Sequence, residues 1–412
     1  MATSTQDMVR PGECIDLYYY DAETNKKQCF PTTQNTKFRQ NFQSLLAGSS
    51  VFTIPPNQGV QDVVLNFQYN NPGAGVIAIP RGWAYALIKQ VSFRYGGSSQ
   101  YFLTGDQILQ NALRAQPNRS AVNDLLTLGG QYYDQATVPT IQAANLVGSV
   151  VLTLPHSKPS GVGKTHPLSS DLLTQQIQIT VELNDPASIF TTGAGGVAPA
   201  LSLAQFVVQQ VLFNNMGDAL ARRVDMSTNA YAFPCEFVQQ KQTLTGVITN
   251  NLTPSEIVLT GFRSGEVKSL QVWLTKATDL TAGNISPFKW YLPQSIQMTY
   301  AGDIYARYDG ASSPLWNLIN SNKAPVVDTL SVDAAPNNNA TPFPSQWVEL
   351  PFAQTFVDED AHYVLTHGKP ITNGIINLTI VPPFAAADWI VNVSYVYNAT
   401  LLFSQGTCDY VF

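Results

Sequence analysis

Charge is scarce in this chain. Of its 412 residues only 12% are Asp, Glu, Lys or Arg, about half of the ~25% usual in globular proteins. Basic residues are outnumbered, 22 Lys and Arg against 28 Asp and Glu, for a net charge of −6. That balance excludes a generally basic nucleic-acid binder. The four cysteines, Cys14, Cys29, Cys235 and Cys408, are too few for a disulfide scaffold and form no C-x-x-C pair. They read as free structural thiols in a reducing compartment, not as zinc or redox ligands. No apolar run approaches the ~18 residues of a membrane span. Met1 to Cys14 holds no apolar h-region, so no signal peptide is expected there.

Apolar residues are not scarce. They make up 44% of the chain, enough for a sizeable core and too many for disorder. The polar remainder is dominated by amides, 28 Asn and 31 Gln. Neutral amides lose less on burial against protein than charges do.

Residues 1–48 read as an arm. Five basic residues (Arg10, Lys26, Lys27, Lys37, Arg39) balance five acidic ones (Asp7, Glu13, Asp16, Asp21, Glu23) in its first 40 positions. From Val51 onward short runs alternate with period two: Val60–Tyr69, Ala84–Tyr95, Ser149–Leu154, Gln176–Leu183 and Ala204–Phe213. Alternation with β-branched and aromatic residues argues strands with one buried face. Helices are few. Asp106 is placed to cap a helix over 107–115, ended by Pro117, and Ser313-Pro314 opens a short one.

The chain also repeats itself. Val91-Ser-Phe-Arg-Tyr95 resembles Ile296-Gln-Met-Thr-Tyr300, an offset of 205 residues. Leu154-Pro155 matches Leu350-Pro351, Gln176–Thr180 matches Ile375–Thr379, and Ala204–Phe213 is echoed by Trp389–Tyr397. Landmarks in one order at similar spacing argue two similar β domains in tandem. The expectation is an all-β chain of two tandem eight-stranded jelly rolls, with short helices in the long loops. The divisions are 1–48 (arm), 49–214 (first jelly roll), 215–230 (junction with a short helix) and 231–412 (second jelly roll).

The stretch Gln205–Arg222, followed by Tyr231-Ala-Phe-Pro-Cys-Glu236-Phe-Val-Gln-Gln240, resembles the inter-domain junction of double jelly-roll major capsid proteins. Leu152–Pro155, Pro167-Leu168 and Ile177–Leu183 resemble that family's first-domain ending, and Asn398–Gly406 its C-terminal region. The resemblance covers roughly Val51 to Phe412. It implies a capsid protein of an icosahedral double-stranded DNA virus, located in the virion and assembled inside the host cell. The implied capsomer is a pseudo-hexagonal homotrimer, six lobes from three chains. The implied partners are neighbouring capsomers, minor capsid, penton or cement proteins, and an internal viral membrane. The neutral arm argues against direct genome condensation, since genome-packaging arms are strongly basic.

Constellations for chemistry are weak. His156, His166, His362 and His367 lack metal-site spacing, and Asp358-Glu359-Asp360 lacks a calcium-loop pattern. Glu182, Glu266 and Glu349 could be set across a cleft, as could the carboxylates of most β proteins. Gly193–Gly196 lacks the Gly-Lys-Ser/Thr of a phosphate loop. Gly261–Glu266 reads as a turn with Arg263 exposed. Seven Asn-x-Ser/Thr sequons, at Asn118, Asn251, Asn284, Asn339, Asn377, Asn392 and Asn398, read as chance matches, two of them inside strands. No catalytic, cofactor or metal residue is assigned. The alternative is a carbohydrate-binding or carbohydrate-active β-sandwich, in which some of the 18 Tyr and 6 Trp stack on sugars. Residues 323–346, rich in proline and amides, are expected to face outward from such a capsomer.

Overall fold

The structure is a computed structural model. It describes residues 18–21, 27–29, 33–41, 49–54, 59–70, 77–78, 82–95, 99–114, 124–125, 128–130, 145–152, 168–192, 200–213, 224, 230–248, 252–276, 290–309, 327–331, 343–345, 347–352, 369–371, 375–384 and 389–412.

Alternating apolar residues put one face of each strand inside a sandwich. In Ile88–Tyr95 the buried positions are Ile88, Val91, Phe93 and Tyr95, and in Ser295–Tyr300 they are Ile296, Met298 and Tyr300. The first lobe has two sheets. One orders Thr33–Asn41, Ala200–Phe213, Gly59–Asn70 and Asn145–Leu152 side by side. The other orders Ser49–Ile54, Ile177–Leu183, Ile88–Tyr95 and Ser99–Thr104. Every pairing is antiparallel, and the strands alternate between sheets in the jelly-roll order.

The second lobe repeats that order. Its first sheet sets Tyr231–Val238 beside Trp389–Ser404, then Gly265–Lys276, then Val348–Pro351. Its second sets Ser255–Leu259 beside Ile376–Val381, Ser295–Tyr300 and Asp303–Asp309. The sequence repeat is therefore a structural one. Phe93 pairs with Ile179 in the first lobe and Met298 with Leu378 in the second, and all four are fully buried.

Four local readings change. Strand Thr33–Asn41 pairs with Ala200–Phe213, so the first sandwich begins inside the segment expected to be an arm. Tyr18–Asp21 pairs with Tyr231–Val238 at the outer edge of the second lobe's sheet. Lys27–Cys29 pairs in turn with Tyr18–Asp21, so the N-terminal region contributes one strand to the first lobe and two to the second. Ala84–Leu87 lies in a buried helical turn, Trp83–Leu87, and the strand starts only at Ile88. The segment 323–346 contains an antiparallel pair, Val327–Ser331 with Phe343–Ser345, although its sequence shows no strand period. The expected helix at Ser313 and nearly all of the junction 215–230 lie outside the described residues.

One apolar cluster runs through both lobes. In the second lobe Trp290 packs edge-on to Trp273 and Trp347, with ring centroids 6.5 and 5.7 Å away. Such aromatic pairs add roughly 0.5–1.5 kcal/mol each beyond burial.

Candidate functional site

A set of specific contacts lies on the seam between the lobes, and one short helix organises it. Gly105–Arg114 follows directly on strand Ser99–Thr104. The helix starts one residue before Asp106, so Thr104 takes the N-cap position while Asp106 lies in the first turn. Gln107 Oε1 accepts from the Thr104 backbone N–H at 3.3 Å, the reciprocal bond of a capping box. Asp106 accepts from the Gln107 backbone N–H at 3.1 Å and from the Thr104 hydroxyl. Gly105 is required by close approach: a Cβ there would lie 2.3 Å from the Ile88 carbonyl oxygen.

This cap aims polar side chains at the second lobe. Gln107 Nε2 donates to the Gln239 carbonyl at 2.9 Å and to Ser394 Oγ at 2.7 Å. Lys241 Nζ lies 2.5 Å from Asp106 Oδ2, and both side chains are largely shielded from water. The Val238 backbone N–H donates to the Tyr101 hydroxyl at 3.3 Å. Beside these groups opens a cleft of about 260 Å³, lined by residues of both lobes that include Lys89, Asp106, Lys241, Thr275 and Asn392.

Apolar contacts close the rest of the seam. Tyr101 packs against Phe237 (4.8 Å) and Tyr410 (6.1 Å), and Tyr95 against Tyr410 (6.4 Å). Tyr410 belongs to the C-terminal strand Thr407–Val411, which the hairpin from Ser404 delivers. At that hairpin the Gly406 carbonyl accepts from the Thr174 backbone N–H (3.0 Å) and hydroxyl (3.1 Å). Arg263 is exposed, as its sequence suggested. It nevertheless lies over the rings of Phe237 and Phe412, 5.1 and 5.4 Å from their centroids.

The chemistry available here is that of packing. Burial, with lesser contributions from Cys235 and Asp409 nearby, pushes the Cys408 thiol well above its ordinary value, which makes it a poor nucleophile. Cys235 and Cys408 are both buried, and neither is in a disulfide. The three candidate carboxylates are dispersed into separate contacts. Glu182 lies 3.6 Å from Lys89 in the first lobe. Glu266 accepts from Asn398 at 3.1 Å, and Glu349 from Ser269 at 2.7 Å. Among the described residues no group of three His, Cys, Asp or Glu could hold a metal. All four histidines, Asp358–Asp360 and Gly193–Gly196 lie outside the described residues. Of the sequons, Asn377, Asn392 and Asn398 are described, all within strands, and Asn392 is 3% exposed. The five described tryptophans, Trp83, Trp273, Trp290, Trp347 and Trp389, are buried, so none of them is presented to a sugar.

Sequence reading found the helix but missed Gln107, Gln239 and Ser394. The only signal was the Thr-x-x-Gln spacing of the cap.

No protein-family model and no curated protein matches the chain. Solved structures do. A quasi-atomic model of the PBCV-1 virus capsid superposes with a TM-score of 0.62 at 12% identity, over 94% of this chain and 99% of that one. The Faustovirus major capsid protein gives 0.58 at 10% identity, over 92% of each chain. The fold is that of the double jelly-roll capsid proteins. The mavirus major capsid protein agrees, with a TM-score of 0.54 at 11% identity over 91% of this chain and 90% of that one. In this double jelly roll, the seam centred on Gln107 fixes how one sandwich stands against the other.

Proposed function

We propose that the chain is a major capsid protein whose homotrimers form the pseudo-hexagonal capsomers of an icosahedral double-stranded DNA virus. The observation that carries this is the paired-sandwich architecture, shared over nine tenths of the length of both partners with viral capsid proteins. The physical logic is symmetry. Three copies of a chain with two like lobes present six like lobes, so a threefold object fills a sixfold lattice position. Low charge and abundant neutral amides suit a surface that is buried on assembly. On this reading the protein resides in the virion and plays a structural part. Its partners are other capsomers, minor capsid, penton or cement proteins, and an internal membrane. The genome is not condensed directly by this chain. Residues 323–346 form part of the capsomer's outer crown.

Size-exclusion chromatography with light scattering on the expressed chain tests this. A stable species of three times the 44.9 kDa chain mass, hexagonal in outline by negative-stain microscopy, is the expected result. A monomer at micromolar concentration overturns it.

A further inference from the structure

One ion pair of the second lobe reaches across a strand. Lys268 stands on Gly265–Lys276 and Glu236 on Tyr231–Val238, the two strands that flank Trp389–Ser404. Lys268 Nζ nevertheless contacts Glu236 Oε1, and the two side chains are only 16% and 7% exposed. The pair therefore closes over the strand between them, and the register says where. Glu236 faces Asn398. Val267 faces Tyr397 and Ser269 faces Val396, so Lys268 is the extra residue of a bulge beside that point. Asn398 is the residue beneath the pair. Its amide is held from the other flank, where Nδ2 donates to Glu266 Oε1 at 3.1 Å. The next row on the same face, Val238–Val396–Ser269, is buried and keeps water off that side. Lysine, asparagine and carboxylate thus meet in a water-poor place on one sheet.

We propose that Lys268 and Asn398 join in an isopeptide bond, formed by the folded chain itself with Glu236 as the acid–base group. Away from water an ion pair loses much of its advantage over the neutral, proton-transferred pair, so a proton passes from Lys268 Nζ to Glu236. The neutral amine attacks Asn398 Cγ while the protonated carboxyl polarises the amide oxygen. The Nζ–Cγ bond forms and the Cγ–Nδ2 bond breaks. One amine hydrogen moves to Nδ2, which leaves as ammonia. The proton stored on Glu236 converts it to ammonium and returns Glu236 to carboxylate. Nζ keeps one hydrogen, and no oxidant or co-reactant is consumed. Glu266 orients the leaving amide through its contact with Nδ2. The fold supplies the rest by holding amine and amide together. The bond would join two neighbouring strands at positions 398 − 268 = 130 residues apart in sequence, and a cross-link that closes a long loop restricts the unfolded chain. This inference does not depend on the capsomer reading.

Intact-mass spectrometry of the full chain, denatured after expression, reads the bond. The expected mass is short of the sequence by one ammonia, and digestion yields a branched peptide that joins Lys268 to Asn398. Lys268→Met and Asn398→Ala should each show no deficit. Glu236→Gln should also show none, in a chain that thermal melting shows to be folded. An unaltered chain at its full sequence mass, without the branched peptide, overturns the proposal. So does an ammonia deficit that persists in Lys268→Met, the mark of an asparagine cyclised on its own backbone. A deficit of one water with Lys268 joined to Glu236 overturns Asn398 as the acceptor. A bond that still forms in Glu236→Gln overturns the acid–base role.

Discussion

Gln107 of the first lobe donates its side-chain amide to Ser394 of the second at 2.7 Å, out of contact with water and across 287 residues of chain. A second bond from the same nitrogen reaches the Gln239 carbonyl. One turn further along the helix, Gln110 is 0% exposed and neither its amide nitrogen nor its oxygen has a hydrogen-bond partner. Two glutamines on one helix thus stand in opposite energetic positions.

They respond oppositely to substitution. Gln107→Ala leaves the buried Ser394 hydroxyl and Gln239 carbonyl without this donor, and costs about 1–3 kcal/mol. Gln110→Met removes two unsatisfied polar atoms at similar volume, so it is neutral or stabilising. Urea denaturation of the two variants checks the sign of each.

The hairpin at Gly406 is a second sensitive point. Gln405 and Gly406 both have positive φ, 50° and 79°, the pattern of a tight type I′ turn. A Cβ on Gly406 would meet Thr174 Cγ2 at 2.3 Å, whereas one on Gly246, at φ 71°, meets nothing within 4 Å. Gly246→Ala therefore costs only backbone strain, about 1 kcal/mol. Gly406→Ala costs clearly more, because it also pushes the Thr407–Val411 strand away from the first lobe. Melting temperatures of the two variants rank them.

Lys276 carries its charge over three rings. Its Nζ lies 4.5 Å from the centroid of Phe384, 5.0 Å from Tyr291 and 6.0 Å from Trp389. Lys276→Met keeps much of the stem and deletes the cation, for an expected loss of about 0.5–2 kcal/mol. Lys276→Arg retains most of the interaction. A chemical denaturation series that shows no difference among the three proteins removes this account.

Alkaline pH should loosen the protein through its buried phenols. Burial pushes Tyr397 up to about 12 from an ordinary 10.0, against an opposing pull from Arg263. Burial also raises Tyr95 and Tyr410 well above that value. Unfolded tyrosines ionise near pH 10 while the folded ones hold their protons, so unfolding releases protons in this window. The stability these phenols contribute is complete below pH 10 and is lost as pH rises above it, that of Tyr397 by about 12. Tyrosine absorbance should lag behind the model titration until the chain unfolds, and then rise with the loss of near-ultraviolet circular dichroism. Ionisation near pH 10 in a chain that remains folded would contradict the burial.

Sequence by itself determined the architecture. Strand faces were legible because a half-buried strand writes its burial as period-two alternation, as in Val91-Ser-Phe-Arg-Tyr95. The doubling was legible because both sandwiches bury the same kind of face, so Phe93 and Met298 recur at matched places. Only the tertiary structure decided which strands met and how the lobes stood together. Thr33–Asn41 has weak alternation and becomes a strand through its pairing with Ala200–Phe213, more than 150 residues away. The cap moved from Asp106 to Thr104 because the strand runs straight into the helix, and only coordinates fix that phase. The polar contacts of the seam have no period to read. Gln107, Gln239 and Ser394 look like any of the chain's many neutral polar residues until folding removes their water and leaves them one another as partners.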